Sequence, residues 1–129
     1  MMNQRSYPVP TNEQKRLRAL RQYQLLDTVT EEEYDRITKI AAGICNVPVS
    51  MMTLLDDERQ WFKSTFGFAI RETPRELAFC NYTILDAEKV LMVEDLRSDV
   101  RFSNNPLVQQ DPHVVFYAGA PLVTPQGYV

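Results

Sequence analysis

The chain has 129 residues and a formal net charge of −3, a balance that argues against a nucleic-acid binder with its usual basic face. A hydrophobic content of 44% and a charged content of 24% suit one globular core, not two, and exclude a disordered or fibrous chain. No apolar run approaches the ~18 residues of a membrane span. The opening MMNQRSYPVP holds no apolar signal core, so a cytoplasmic location with no membrane partner is expected.

Residues 1–10 read as a loose tail and residues 11–129 as one domain. Thr11 with Gln14 fits a capping box, and a helix to about Leu26 should follow. Its apolar stripe of Leu17, Leu20 and Tyr23 is thin, and Lys15, Arg16, Arg18 and Arg21 read as a solvated face. Thr30 and Glu33 form a second box. The helix they open sets Tyr34, Ile37, Ala41 and Ile44 on one face, with Ile40 and Cys45 beside it, and that face is expected to meet the core. Asn46 and Pro48 mark its stop.

Val47–Leu55 and Gln60–Phe66 read as strands, joined by DDER turn chemistry. In ETPRELAFCNYTI, Thr73 as N-cap, Pro74 at the first helical position and Glu76 three residues after Thr73 predict a helix with Leu77, Cys80 and Ile84 on one face. Val90–Val93 is a short strand. Residues 94–113 are irregular and polar, with room for one or two helical turns, and read as a lid or binding loop. VVFYAGAPLV, residues 114–123, is apolar on both faces and predicts a central, doubly covered strand. TPQG then turns the chain, and Tyr128 and Val129 begin a return strand. The order of elements predicts an α+β domain with an antiparallel sheet.

Four stretches, WFKSTFGF, ETPRELAFCNYTI, LMVEDLRSDVRFSNNPLV and VFYAGAPLVTPQGYV, together resemble a GAF domain of the bacterial sensory type found upstream of histidine kinases and diguanylate cyclases. The resemblance runs from about residue 16 to the last residue. It implies a GAF-like (profilin/PAS-like) antiparallel sheet with helices on one face, a small-molecule pocket on the other, and a homo-oligomer formed through outer helices. It also implies that TPQG leads into a further core strand and a C-terminal helix. On that reading the fold is incomplete at the C-terminus, leaving strand edges exposed for pairing.

The resemblance places candidate pocket walls at Met51, Thr53 and Trp61 on the first two strands and at Phe79, Cys80 and Asn81 on the following helix. Asp95, Asp99 and Arg101 would contribute from the polar loop, and Phe116, Ala118 and Ala120 from one face of the last full strand. Tyr117 and Gly119 occupy its other face, and the sequence leaves open which face looks at a ligand. Each has a plainer reading beside it: core packing for the apolar residues, loop-tying ion pairs for the charged ones, an anchor for Trp61 and a buried thiol for Cys80.

His113 is the sole histidine, so no metal site, cofactor or catalytic triad is expected. The expected function is a sensory module of a signal-transduction protein that binds an unidentified small molecule, mediates dimerisation, or both. The alternatives are a ligand-free structural dimerisation module and a free methionine sulfoxide reductase of GAF type.

Overall fold

The computed structural model describes residues 5–129. It divides into two compact units, residues 17–75 and residues 76–129 together with the segment through Arg16. Helix α1, Glu13–Gln22, crosses the division. It ends earlier than its pattern predicts, because Gln24 and Asp27 take left-handed backbone with φ of 53° and 62°. Among the described residues no helix is long and apolar enough to cross a membrane.

The 17–75 unit packs helix α2, Glu32–Cys45, on an antiparallel sheet of β1 (Ser50–Leu55), β2 (Arg59–Phe66) and β3 (Glu72–Pro74), in the order β1-β2-β3. Helix α2 closes on Asn46, which turns left-handed and donates its N–H to the Ala42 and Gly43 carbonyls. The Thr30–Glu33 box is unused: Glu31 holds the N-cap position without a side-chain cap. Arg59 fastens the β1–β2 turn, with its fork on Asp27 at 2.7 Å and its Nε on Asp56 at 3.1 Å. Gly67 ends β2 at φ 73°, and a Cβ there would meet the Pro48 carbonyl oxygen.

The register slips between Met52, opposite Ser64, and Thr53, opposite Phe62, which leaves Lys63 as the extra residue of a bulge. Lys63 is wholly buried. Its Nζ donates to Thr28 Oγ1 and the Val29 carbonyl, both at 2.7 Å, lies 2.6 Å from Glu31 Oε2, and sits over the Tyr34 ring. Beside it Ser64 Oγ donates to Asp35 Oδ1 at 2.6 Å and shares a 2.8 Å hydrogen bond with Thr38 Oγ1.

This polar patch decides which side of α2 faces the sheet, and it overturns the predicted core face. The buried helix residues are Thr38 and Ala42, whereas Ile37, Ile40 and Ile44 are 54%, 60% and 80% exposed. The sheet offers the Ser64 hydroxyl at this level, and Asp35 and Thr38 satisfy it where isoleucine could not.

The helix predicted from Thr73 is also corrected. Glu72–Pro74 is strand β3, with Thr73 opposite Gln60 and its hydroxyl accepting from Gln60 Nε2 at 3.0 Å. Arg75, fully buried, donates its backbone N–H to the Glu58 carbonyl and its guanidinium to the Asp56 carbonyl. A ladder and a buried arginine thus hold as strand what the capping signals mark as helix. The 3₁₀ turn Arg75–Leu77 follows.

In the second unit α3 is a single turn, Cys80–Thr83, and β4 (Leu91–Val93) pairs antiparallel with β5 (Tyr117–Gly119). Among the described residues the sheet expected to be single is therefore two sheets, one of three strands and one of two. The core here is Phe79, Val93, Leu96, Phe102 and Val108. Three of these come from residues 94–113, so the segment read as a lid is largely core wall. It folds through the 3₁₀ turn Leu96–Ser98, capped by Asp95, and through α4 (Pro106–Gln109), capped by Asn105 with Pro106 at the first position. The TPQG turn forms as its chemistry predicts, with Gly127 at φ 91° and the Thr124 N–H on the Tyr128 carbonyl at 2.7 Å.

The doubly covered strand of residues 114–123 is not observed. Only Tyr117–Gly119 of this segment is strand, it pairs on one edge alone among the described residues, and Val115, Phe116, Leu122 and Val123 are exposed. Pro121 lacks the N–H that a longer ladder needs. Strand β1 likewise has one partner among the described residues, β2.

Lys63→Met should cost about 2–4 kcal/mol in urea unfolding at neutral pH, because it leaves Thr28, Val29 and Glu31 without their donor. Glu31→Gln should cost less, about 1 kcal/mol, since the amide oxygen still accepts.

Candidate functional site

The predicted pocket residues fall into the two units. Met51 and Thr53 lie on β1, where Met51 is exposed and Thr53 half-buried. Trp61 is buried on β2 with the Arg71 guanidinium 5.4 Å from its ring. All three belong to the 17–75 unit, and the remaining nine belong to the other.

Within that other unit the structure gathers some of the nine and disperses the rest. Phe79 is buried against Phe102, edge to face at 5.4 Å, and against the Tyr117 ring at 5.4 Å. Tyr82 meets Phe102 edge to face at 5.1 Å. Cys80 Sγ lies 3.1 Å from Tyr117 Oη, and Thr83 Oγ1 lies 2.8 Å from the same oxygen. Asn81 is fully buried. The centre is therefore the hydroxyl of Tyr117, held by a thiol and an alcohol inside an aromatic shell.

On and beside β5, Tyr117 and Gly119 face this centre, while Phe116, Ala118 and Ala120 are exposed. The three named residues thus lie on the face turned away from the aromatic core. Gly119 is part of the arrangement: a Cβ built on it would collide with Tyr117 Oη and fall 2.8 Å from Thr83 Oγ1. The tyrosine lies back over its own strand into the space a side chain would fill.

The charged candidates tie the loop. Arg101 grips Asp99 through Nε at 3.0 Å and Nη2 at 2.8 Å, and its guanidinium lies over the Tyr82 and Phe102 rings at 5.5 and 4.9 Å. These hydrogen bonds hold the Asp99 carboxyl below the usual carboxylate range, and Arg97 does the same for Asp95. Asn105 Nδ2 donates to the Leu77 carbonyl at 3.1 Å and pins the loop to the 3₁₀ turn.

Burial, first, and then Cys80 push the Tyr117 phenol well above its usual value, so it stays protonated and serves as donor or acceptor. What the cluster offers is recognition: one polar point in an aromatic, largely apolar setting. Among the described residues no group of three or more His, Cys, Asp and Glu side chains is placed to hold a metal ion. His113 is exposed, with φ 57°. A cleft of about 450 Å³ opens elsewhere in this unit, lined by Val9, Pro10, Arg16, Ile84, Leu85 and Val129 among others, and none of the predicted pocket residues borders it.

Sequence reasoning missed Thr83 and Tyr82, since a helix drawn through Leu77, Cys80 and Ile84 leaves both off its face. The available signal was Tyr117-x-Gly119, an aromatic and a glycine two apart on one strand face.

Two comparisons bear on the site. The model of the GAF domain family matches residues 29–129. Over 120 residues the chain is 40% identical to a cyclic di-GMP phosphodiesterase of Pseudomonas aeruginosa, an alignment that takes in 93% of this chain and 20% of the relative. The chain thus spans about a fifth of the length of the curated relative it matches.

Gly119→Ala should expel the tyrosine ring and cost about 2–4 kcal/mol in denaturant unfolding. Tyr117→Phe should cost about 1 kcal/mol at neutral pH. Its pH dependence carries a definite sign. The folded phenol ionises later than the unfolded one, so the stability it contributes is full below about pH 10 and falls as pH rises past that value. The parent should therefore lose stability above about pH 10 more steeply than Tyr117→Phe, and parallel curves would show that the phenol is not the group responsible.

Proposed function

This chain belongs to the GAF domain family, and from that premise we propose that it is the sensory, non-catalytic module of a cytoplasmic signal-transduction protein whose output lies in another domain. The matched relative is named as a cyclic di-GMP phosphodiesterase, and this chain corresponds to a fifth of it. An output enzyme of cyclic-dinucleotide turnover, governed by this domain, is the reading that relation favours.

One observation carries the ligand-binding part: Tyr117 Oη, shared by Cys80 and Thr83, is the polar point of a shell made by Phe79, Tyr82 and Phe102. It suits a small molecule with a flat or apolar body and one hydrogen-bonding group. Such a ligand competes for the tyrosine hydroxyl. Residues 94–113 hang on the same core, with the Leu96 N–H on the Val115 carbonyl two residues before Tyr117, so displacing the ring shifts the balance of loop arrangements.

Cysteine chemistry of the reductase kind has less support. Cys80 is engaged with Tyr117, and Cys45 is exposed at the end of α2 in the other unit. Dimerisation is the second reading, favoured by the outward isoleucines of α2.

A thermal-shift screen of the 129-residue chain against nucleotides, nucleobases, aromatic acids and free methionine sulfoxide tests the first reading. A binding class should stabilise the chain by about 2.7 kcal/mol at a hundredfold excess over Kd. Tyr117→Phe should remove most of the shift, and Ala118→Ser should leave it. A shift that survives Tyr117→Phe, or a panel with no shift at all, would refute the site.

A further inference from the structure

We propose that residues 24–31, the connection from α1 to α2, are an ionic-strength-sensitive strap. It is held over Lys63 by charge and opens as a unit, with the sheet intact, when salt screens that attraction. The inference stands apart from both the ligand site and dimerisation.

Little apolar burial holds this connection. Between Leu17 and Thr38 no side chain is fully buried, and Val29, in the middle of the strap, is 80% exposed. Leu25 and Leu26 are half-buried. The Thr28 N–H closes a local turn on the Leu25 carbonyl. Gln24 keeps a left-handed backbone, φ 53°, that a long side chain seldom takes, so opening relieves it. A segment with few buried apolar contacts is the kind that opens locally, below the free energy of global unfolding.

The hold is supplied as charge. The strap carries two charged residues, Asp27 and Glu31, both acidic. Three cations meet it. Arg59 bonds Asp27 twice at 2.7 Å, Lys63 Nζ lies 2.6 Å from Glu31 Oε2, and Arg71 Nη2 reaches the Thr28 carbonyl at 3.5 Å. Lys63 adds the Thr28 hydroxyl and the Val29 carbonyl. In each of these contacts the donor is a lysine or an arginine.

The opened state leaves these groups provided for. Released from Asp27, Arg59 keeps its Nε bond to Asp56 at 3.1 Å and has Glu72 3.7 Å away. The Asp27 and Glu31 side chains, 66% and 49% exposed, regain full hydration with little movement. Lys63 exchanges its acceptors for water, and the attraction in a buried ion pair is largely offset by the desolvation it imposes. The two arrangements therefore lie closer in free energy than an apolar strap and its opened form would. Salt acts first on the exposed Asp27–Arg59 pair, since the screening length falls from about 10 Å at 0.1 M to about 3 Å at 1 M. Lys63 follows because Asp27, Thr28 and Val29 are consecutive.

Lys63 reports on its own cover, being wholly buried with the strap closed. An amine-reactive ester applied to the 129-residue chain, read by peptide mass spectrometry against the exposed Lys39, measures the opening. From about 0.05 M to about 1 M sodium chloride the ratio of Lys63 to Lys39 labelling should rise about tenfold, while the β2 amides keep their protection from hydrogen exchange. Asp27→Asn should raise the ratio at low salt and flatten its rise. Glu88→Gln, at an exposed acid of the other unit, should change neither.

Should Asp27→Asn destabilise the whole chain, the salt series on the parent decides alone. A ratio unmoved by salt, a Lys63 as reactive as Lys39 at low salt, or labelling that rises only together with exchange of the β2 amides would each overturn the proposal. None of these results would touch the ligand site.

Discussion

The 17–75 unit is organised around the buried ammonium of Lys63. An ammonium without water is tolerated only when its hydrogen bonds are met inside the protein. Lys63 meets that condition with Thr28 Oγ1, the Val29 carbonyl and the Glu31 carboxylate. Three consequences follow from the one constraint. The strand must bulge to aim Lys63 at the helix side, residues 28–31 must lie across it, and α2 must begin where Glu31 and Tyr34 can reach it. The Arg59 fork on Asp27 holds the same connection from the turn end.

The orientation of α2 is the price of that arrangement. A helix dictated by hydrophobicity would have rolled to bury Ile37, Ile40 and Ile44. The observed one places Asp35 and Thr38 on Ser64 and leaves the isoleucines outside. A polar helix–sheet contact is specific in angle and register, since a small roll breaks hydrogen bonds, whereas an apolar contact tolerates sliding. The fold thus fixes its helix by polarity and turns an apolar surface outward.

The second unit solves a different problem with aromatic packing. Its core is assembled mostly from a segment with no long regular element, and that segment is ordered by caps at Asp95 and Asn105 and by the arginine clamp on Asp99. The polar residues of 94–113 were legible as turn and cap chemistry. Its role as core wall was less so, because Leu96, Phe102 and Val108 are scattered among charges with no helical or strand period. The candidate site shows the same division. Phe79 and Cys80 were named as candidate pocket walls on a helix and lie against Tyr117, yet the polar centre at Tyr117 depends on Gly119 leaving space for a folded-back ring, a feature of close approach that residue spacing hints at and cannot fix.

Local chemistry in the sequence determined where α2 stops, the β1–β2 pair and its turn, the Asn105–Pro106 helix start and the Gly127 turn. Each is settled by a few adjacent residues acting on their own backbone. Tertiary structure alone decided which side of α2 is buried, that Glu72–Pro74 is strand in spite of its capping signals, and that residues 114–123 shrink to a three-residue edge. In each of these the deciding groups, Lys63 and Ser64, Gln60 and Arg75, or the single partner β4, lie on another element or depend on how the chain packs there. Periodicity reports what one segment could bury, and the surface opposite determines what it does bury.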